Sequence, residues 1–558
     1  MTEALNRLSG LSVFFRLLLL YRPYWGWMAL GVLLSLITVL ANVALMALAG
    51  WFISIMAIAG LAGTSVNYFT PSAAIRGLAL TRTAGRYFER VVSHEATLRL
   101  LSELRQWFYS HLEPIAPAVL QGYRSGDILS RISADIDTLQ DFYLRIVSPI
   151  IVALLAGTIY GIFLSRYNMG LLIAVLSMLF VAGVVIPITV YRLAGTAGKR
   201  QVQTSTELRL TVVDSIQGMA ELQIYGFADE QINQTRVQSG RLLRDQKTQA
   251  KYTGISQALV GLCANCSMWL VLLISIPLLE SQQLQAEDIV LLALFALASF
   301  ELVVPLPAAF QLLPKTLAAA QRIFEIADSK AIITEPDHPL QVHDEYAIHF
   351  DHVCFSYNKQ PSIRDLSFKL KTGNRLALRG ASGVGKSTVI NLLVRFWGMS
   401  ESDSGCIRFG GYPIHQYHSD DIRKCIAVLP QQTVLFNNTI KNNLLLAKPD
   451  ANDNLLEEVC RVACIHEFIT TQPDGYDTWV GEAGLMLSGG QARRICVARV
   501  LLKDSPVFIL DEPGEGLDAD TERKLLAAVF SYKKNASILL ITHKNAGLDL
   551  VDEVINMV

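Results

Sequence analysis

The stretch Arg375-Leu-Ala-Leu-Arg-Gly380-Ala-Ser-Gly-Val-Gly-Lys-Ser-Thr388 decides how the C-terminal half of this 558-residue chain is read. Its first five residues alternate like a strand, and Gly380 to Thr388 is a complete GxxxxGK[ST] phosphate loop in the strand, loop and helix context that such a loop requires. Gly380, Gly383 and Gly385 let backbone N–H groups wrap a β-phosphate. Lys386 reaches the β- and γ-phosphates, Ser387 coordinates Mg2+, Ser382 and Thr388 complete the cradle, and the following helix points its positive N-terminus at the anion. The partner motif is Val507-Phe-Ile-Leu-Asp511-Glu512, an apolar strand that ends in two carboxylates. Asp511 holds Mg2+ through water and Glu512 acts as general base toward the attacking water. Together the two motifs predict a nucleotide hydrolase.

Outward from this domain the composition changes. Hydrophobic residues make up 51% of the chain, which is too apolar for a purely soluble protein, and the formal net charge of −1 without basic runs argues against nucleic acid as a partner. No Asp, Glu, Lys or Arg occurs from Pro23 to Ile75, whereas the stretch after Asp337 is normally charged. Six candidate spans follow, roughly 25–49, 67 to beyond 90, 146–165, 167–191, 252–279 and 289–313. Arg7, Arg16 and Arg22 precede the first, and long basic segments (99–131 and 192–251) separate spans two and three and spans four and five, so the N-terminus is expected in the cytoplasm. Those segments keep helical patterning, with corners at Gly126-Asp127 and from Gly218 to Gly226. The N-terminus lacks a cleavable leader, so the first span is expected to stay as an anchor. The eight cysteines are scattered and fit reduced thiols.

The second span carries Arg82, Arg86, Arg90 and His94, each four residues after the last. On a helix they form one stripe about 18 Å long. One reading is that the helix has left the bilayer by Arg86, the stripe being solvated or paired with Glu89 and Glu95. The other is a water-filled path for an anionic substrate with an apolar body, its carboxylates held by Arg and, if it contains iron, His94 as an axial ligand. Heme fits both halves of that description, and glutathione fits the charge. Glu301, alone in the sixth span, is a candidate partner for the stripe, and Cys263 and Cys266 form a CxxC that reads as buried small hydrophobes.

Between the two nucleotide motifs lies Leu487-Ser488-Gly489-Gly490-Gln491, and here the chain resembles the ATP-binding cassette (ABC) family. That resemblance implies that Ser488, Gly489, Gly490 and Gln491 contact the γ-phosphate of ATP held by an opposite subunit, and that Tyr357 stacks on adenine. It also makes Gln431 a sensor of Mg2+, Asp518 part of a dimer-contact loop and His543 the switch histidine at the γ-phosphate. Six spans fused ahead of one nucleotide domain resemble an exporter-type half-transporter: a membrane α-helical bundle (1–325), a linker (326–345) and an α/β cassette domain (346–558). Within the family, Ala49 to Ile53, Thr81 to His94, Tyr143 to Pro149 and Glu512 to Asp518 resemble the half-transporters of cytochrome bd assembly. This implies a heterodimer with a second half-transporter in a bacterial inner membrane, a thiol (glutathione or cysteine) or heme b as cargo, and Arg90 with His94 as a heme-contacting pair. Multidrug or lipid export, and a nucleotide-gated regulatory protein, are the alternatives. Two departures stand out. Gly481-Glu482-Ala483-Gly484 lacks the Arg frequent at its third position, and the sequence ends at 558, where related domains continue through another strand and helix.

Overall fold

The structure, a computed structural model, describes residues 10–557 except 124, 358, 359, 382, 401, 402, 482, 483 and 485. Arg7, Ser382, Glu482 and Ala483 therefore lie outside the described residues. The chain divides into two compact units, one of residues up to 114 and 121–329, the other of 115–120 and 330 onward.

The first unit is helical. Its long helices are α1 (Trp25–Ala62), α2 (Phe69–Leu112), α3 (Ser148–Ser165), α4 (Met169–Phe180), α5 (Ile186–Gln217), α6 (Ala228–Glu280), α7 (Ala286–Ser299) and α8 (Leu306–Ala327). Among the described residues five helical stretches are long and apolar enough to cross a membrane: 22–62, 126–165, 169–193, 228–280 and 286–327. The second of the six expected spans, now α2, does not meet that standard. It is long enough, but Arg76, Arg82, Arg86, Glu89 and Arg90 interrupt its apolar run. It lies close against α1, where a Cβ on Gly85 would meet Thr38 Oγ1 at 2.6 Å, so only glycine admits this approach. At 1.5 Å per residue the 53-residue α6 is about 80 Å long, more than twice the hydrocarbon thickness of a bilayer, so much of it projects into water. Its lead-in is a corner: α5 stops at Gly218, a short helix follows (Met219–Ile224), and Gly226 at φ +70° turns the chain into α6.

The last stretch is broken. Between α7 and α8 the backbone tightens into a 3-10 turn, Phe300–Leu302, and Pro305 and Pro307, which lack N–H groups, prevent a continuous helix. Further along, α8 is tied down by charge. Arg322 donates to both oxygens of buried Asp135, at 2.8 and 2.5 Å, while Arg131 donates to the Arg322 carbonyl at 2.7 Å and pairs with Asp127 at 3.0 Å.

In the second unit β2 (Gln360–Leu370), β1 (Ile348–Tyr357), β4 (Ser404–Phe409) and β5 (Tyr412–Pro413) form an antiparallel sheet in that order. A parallel sheet has the order β6 (Ile426–Leu429), β7 (Val507–Asp511), β8 (Ser537–Thr542), β3 (Arg375–Arg379) and β9 (Glu553–Asn556). All side chains of β7 and β8 are buried, as strands covered on both faces must be. One core, with Phe350, Leu378 and Ile541, fills the space between the sheets. Another, with Phe508, Leu540 and Ile495, packs helices α10 (Gly489–Leu502) and α11 (Ala519–Tyr532) on the opposite face of the parallel sheet. The segment before β1 is docked on this unit: Glu335 accepts from Arg395 at 3.2 Å and from the Ser419 N–H at 3.0 Å, and the Leu340 N–H donates to the Gln416 carbonyl at 2.9 Å.

Asp135→Ala would strand the Arg322 guanidinium. Because Arg322 remains partly hydrated, the expected loss is about 2–3 kcal/mol, below the figure for a fully enclosed pair, and a lower thermal unfolding midpoint of the detergent-solubilised protein is the readout.

Candidate functional site

Strand order builds the nucleotide site. Because β3 and β7 both flank β8, their C-terminal ends bring three loops together: the phosphate loop after β3, the Asp511-Glu512 pair at the end of β7, and His543 just after β8. Helix α9 (Lys386–Leu393) opens from Gly385 at φ +96°, where a Cβ would meet the Ser362 carbonyl at 2.4 Å. Thr388 Oγ1 lies 2.7 Å from Ser362 Oγ, tying the first turn of α9 to β2.

Lys386 Nζ donates to the Gly380 carbonyl at 2.9 Å and to Glu512 Oε1 at 3.3 Å. His543 Nδ1 stands 2.8 Å from the same Oε1, and since an ionised carboxylate only accepts, the ring N–H donates. Ser387 Oγ donates to Asp511 Oδ2 at 3.4 Å. Burial and the neighbouring Glu512 charge push the Asp511 carboxyl up to about 6. Burial also raises Glu512, but the hydrogen bonds and charges of His543 and Lys386 outweigh it and hold Glu512 below the usual carboxylate range. A serine hydroxyl beside a buried carboxylate whose charge is disfavoured is an oxygen donor set that suits a small hard cation such as Mg2+. The residues present therefore fit the ion.

One residue of this site was not anticipated. Arg493, buried on α10, donates to the carbonyls of Pro430, Gln431, Asp511 and Glu512. Glu512 has a left-handed φ of +50°, and this guanidinium clamps the turn that aims its carboxylate. The sign in the sequence is an arginine two residues beyond the Ser-Gly-Gly-Gln run, followed by a second, Arg494, and then by the apolar Ile495 to Ala498. Gln431, by contrast, joins the site through its carbonyl while its side chain is exposed.

Tyr357 ends β1 with its ring edge-on to Trp397 at 4.6 Å, and its hydroxyl accepts from Asn391 Nδ2 at 3.2 Å. Ser488 caps α10 in a capping box: its Oγ accepts from the Gln491 N–H at 3.3 Å, and its own N–H donates to Gln491 Oε1 at 2.8 Å. Gly490 abuts the loop that leads to Asp518, and the Asp518 carboxylate caps α11 by accepting from the Thr521 N–H at 3.0 Å. Among the described residues, no hydrogen bond links Ser488, Gly489, Gly490 or Gln491 to the phosphate loop.

In the helical unit the stripe is partly paired. Arg86 Nη2 lies 3.1 Å from Glu301 Oε1, Arg82 donates to Asn42 Oδ1 at 3.1 Å, and Asn42 Nδ2 donates to the Glu301 carboxylate. Pairing with Glu89 or Glu95 is not found among the described residues, and Glu95 pairs with Arg99 instead. Arg90 and His94 are exposed one turn apart. Cys263 and Cys266 are free thiols on α6.

Residues 363–515 match the ABC transporter family, and residues 28–302 match the ABC transporter transmembrane region. The glutathione/L-cysteine transport system ATP-binding/permease protein CydC of Escherichia coli (strain K12) is 36% identical over 543 residues, 97% of this chain and 94% of that protein. CydD of the corresponding system in Bacillus subtilis (strain 168) is 31% identical over 497 residues, 87% of this chain and 84% of that protein. A solved bacterial Atm1-family ABC exporter with ATP bound shares the fold, with a TM-score of 0.83 over 96% of this chain and 93% of that one at 22% identity.

Removing the clamp by Arg493→Ala takes the guanidinium from four carbonyls, of which Glu512's keeps the Glu515 N–H at 3.1 Å. We expect about 3 kcal/mol or more of lost stability and at least a tenfold lower ATPase rate, measured by thermal unfolding and phosphate release.

Proposed function

This chain belongs to the ABC transporter family, and we propose that it is the ATP-hydrolysing half of a heterodimer that moves a thiol, glutathione or L-cysteine, across the bacterial inner membrane. It is an ATPase coupled to transport. A CydD-like half-transporter is the partner, and the N-terminus and nucleotide domain face the cytoplasm. The observation that carries this reading is the likeness to CydC along nearly the whole chain, membrane half included.

In this reading Lys386 and the N–H groups of Gly380 to Thr388 bind the phosphates of ATP. Ser387, Gln431 and Asp511 hold Mg2+, which neutralises phosphate charge when bound. Glu512 accepts the proton of the attacking water, and His543 holds its carboxylate in place while facing the γ-phosphate. Tyr357 supports the adenine. Ser488 to Gln491 act on the nucleotide of the partner half, so hydrolysis requires closure of the dimer, with Asp518 at the contact. In the membrane Arg82, Arg86, Arg90 and His94 receive an anionic cargo. Heme b is a second cargo, favoured by the exposed pair Arg90 and His94.

Two measurements test the machinery. Glu512→Gln should lower ATP hydrolysis about a hundredfold or more while ATP still binds; retained transport would favour a nucleotide-gated regulator instead. Asp511 titrates near 6, raised from its ordinary value, so a proton competes with the cation as the pH falls. The free Mg2+ concentration for half-maximal ATPase should rise about tenfold per pH unit below about 6 and stay nearly constant above about 7.

The cargo is tested by reconstituting the chain with its partner and titrating the ATPase with glutathione, cysteine and heme. Stimulation by thiols that is unchanged in His94→Ala supports thiol transport alone. Stimulation by heme that the variant loses makes the stripe a heme site, and stimulation by neutral lipophiles would favour a multidrug or lipid exporter.

A further inference from the structure

Glu301 is the acid of a mixed-charge set drawn from three helices. Asn42 on α1 bridges it to Arg82, and Arg86, one turn on from Arg82 along α2, pairs with it directly. The set is deep. Arg82 lies 13 residues into α2 and Glu301 lies 15 residues beyond the start of α7, about 20 Å and 22 Å along helices that both begin at the outer face in the expected topology.

Three further observations point to a ligand. The Arg86 and Glu301 side chains remain 51% and 38% exposed, and charges at that depth do not face lipid, so they line a hydrated path. Glu301 sits in the 3-10 break of its span, and irregular backbone at membrane depth is tolerated where it borders a cavity or a binding site. The Tyr160 hydroxyl, buried and within electrostatic reach of Glu301, has no hydrogen-bond partner among the described residues. The charges are also unbalanced, since two guanidinium groups face one carboxylate.

We infer that this set is the receptor for an α-amino-carboxylate head group: Glu301 accepts from the ammonium, and Arg82 with Arg86 donates to the carboxylate. The inference rests on the thiol reading above and adds which part of the cargo is recognised. L-Cysteine and the γ-glutamyl end of glutathione share this head group, so one site takes both, and the sulfur plays no part in it. The surplus positive charge, extended by Arg90, suits the further carboxylate of the peptide.

The test uses the reconstituted heterodimer and ATPase stimulation by L-cysteine, N-acetyl-L-cysteine, which lacks the ammonium, and cysteamine, which lacks the carboxylate. Both analogues should need at least about tenfold higher concentrations than L-cysteine. Glu301→Gln should shrink the gap between L-cysteine and its N-acetyl form below about threefold, whereas Glu301→Asp should keep most of it. Co-elution of each variant with the partner checks that it has assembled, and the ligand series on the wild type is decisive by itself. Equal potency of the three thiols, or an unchanged gap in Glu301→Gln, overturns the assignment and leaves thiol transport standing. A wild type that responds to neither glutathione nor L-cysteine overturns both.

Discussion

Two adjacent carboxylates end a strand that is buried along its whole length, and much of the nucleotide domain answers the electrostatic problem they create. A charge of −2 in a low-dielectric interior is untenable without cations and donors. Lys386 arrives from the phosphate loop, the His543 N–H from the end of the neighbouring strand, and Arg493 from α10 to bind the carbonyls of the same two residues. Each comes from a different element, so the loops after β3, β7 and β8 are joined around Glu512 as well as by the sheet. The two acids end up unlike one another: Asp511 is raised by burial, while the hydrogen bonds of His543 and Lys386 hold Glu512 below the usual carboxylate range.

The helical unit meets a similar problem with fewer resources. Four charged or polar groups share one network across α1, α2 and the break between α7 and α8. Close approach of α1 and α2 at Gly85 brings Asn42 within reach of Arg82, and the prolines after Glu301 keep that stretch of backbone from closing into a regular helix. Small residues and helix breakers here serve to position charge.

The phosphate loop, the paired acids and the Ser-Gly-Gly-Gln run were legible in the sequence because each is a contiguous pattern whose chemistry depends on local backbone geometry. The stripe on α2 was legible for the same reason, as a helical period. Arg493 was not, since its four partners lie at Pro430, Gln431, Asp511 and Glu512, and an arginine on a helix beside another, Arg494, gives no sign of which of them points inward. Asn42 was missed because an amide in an apolar span carries no charge to draw notice. Six stretches of the sequence are candidate apolar spans, whereas among the described residues the charges of α2 leave five that are long and apolar enough to cross a membrane. The Gln431 carbonyl accepts from Arg493, a contact that no residue type predicts.

Ser488 and Gln491 hold one another through both backbone and side chain before any second subunit arrives. The serine oxygen accepts one bond from its own helix and its hydroxyl hydrogen remains free to donate, so the tip of the helix presents hydrogen-bond donors to oxygen-rich partners. Its shape is set when the domain folds. A partner that docks there therefore meets a helix tip that needs little local ordering.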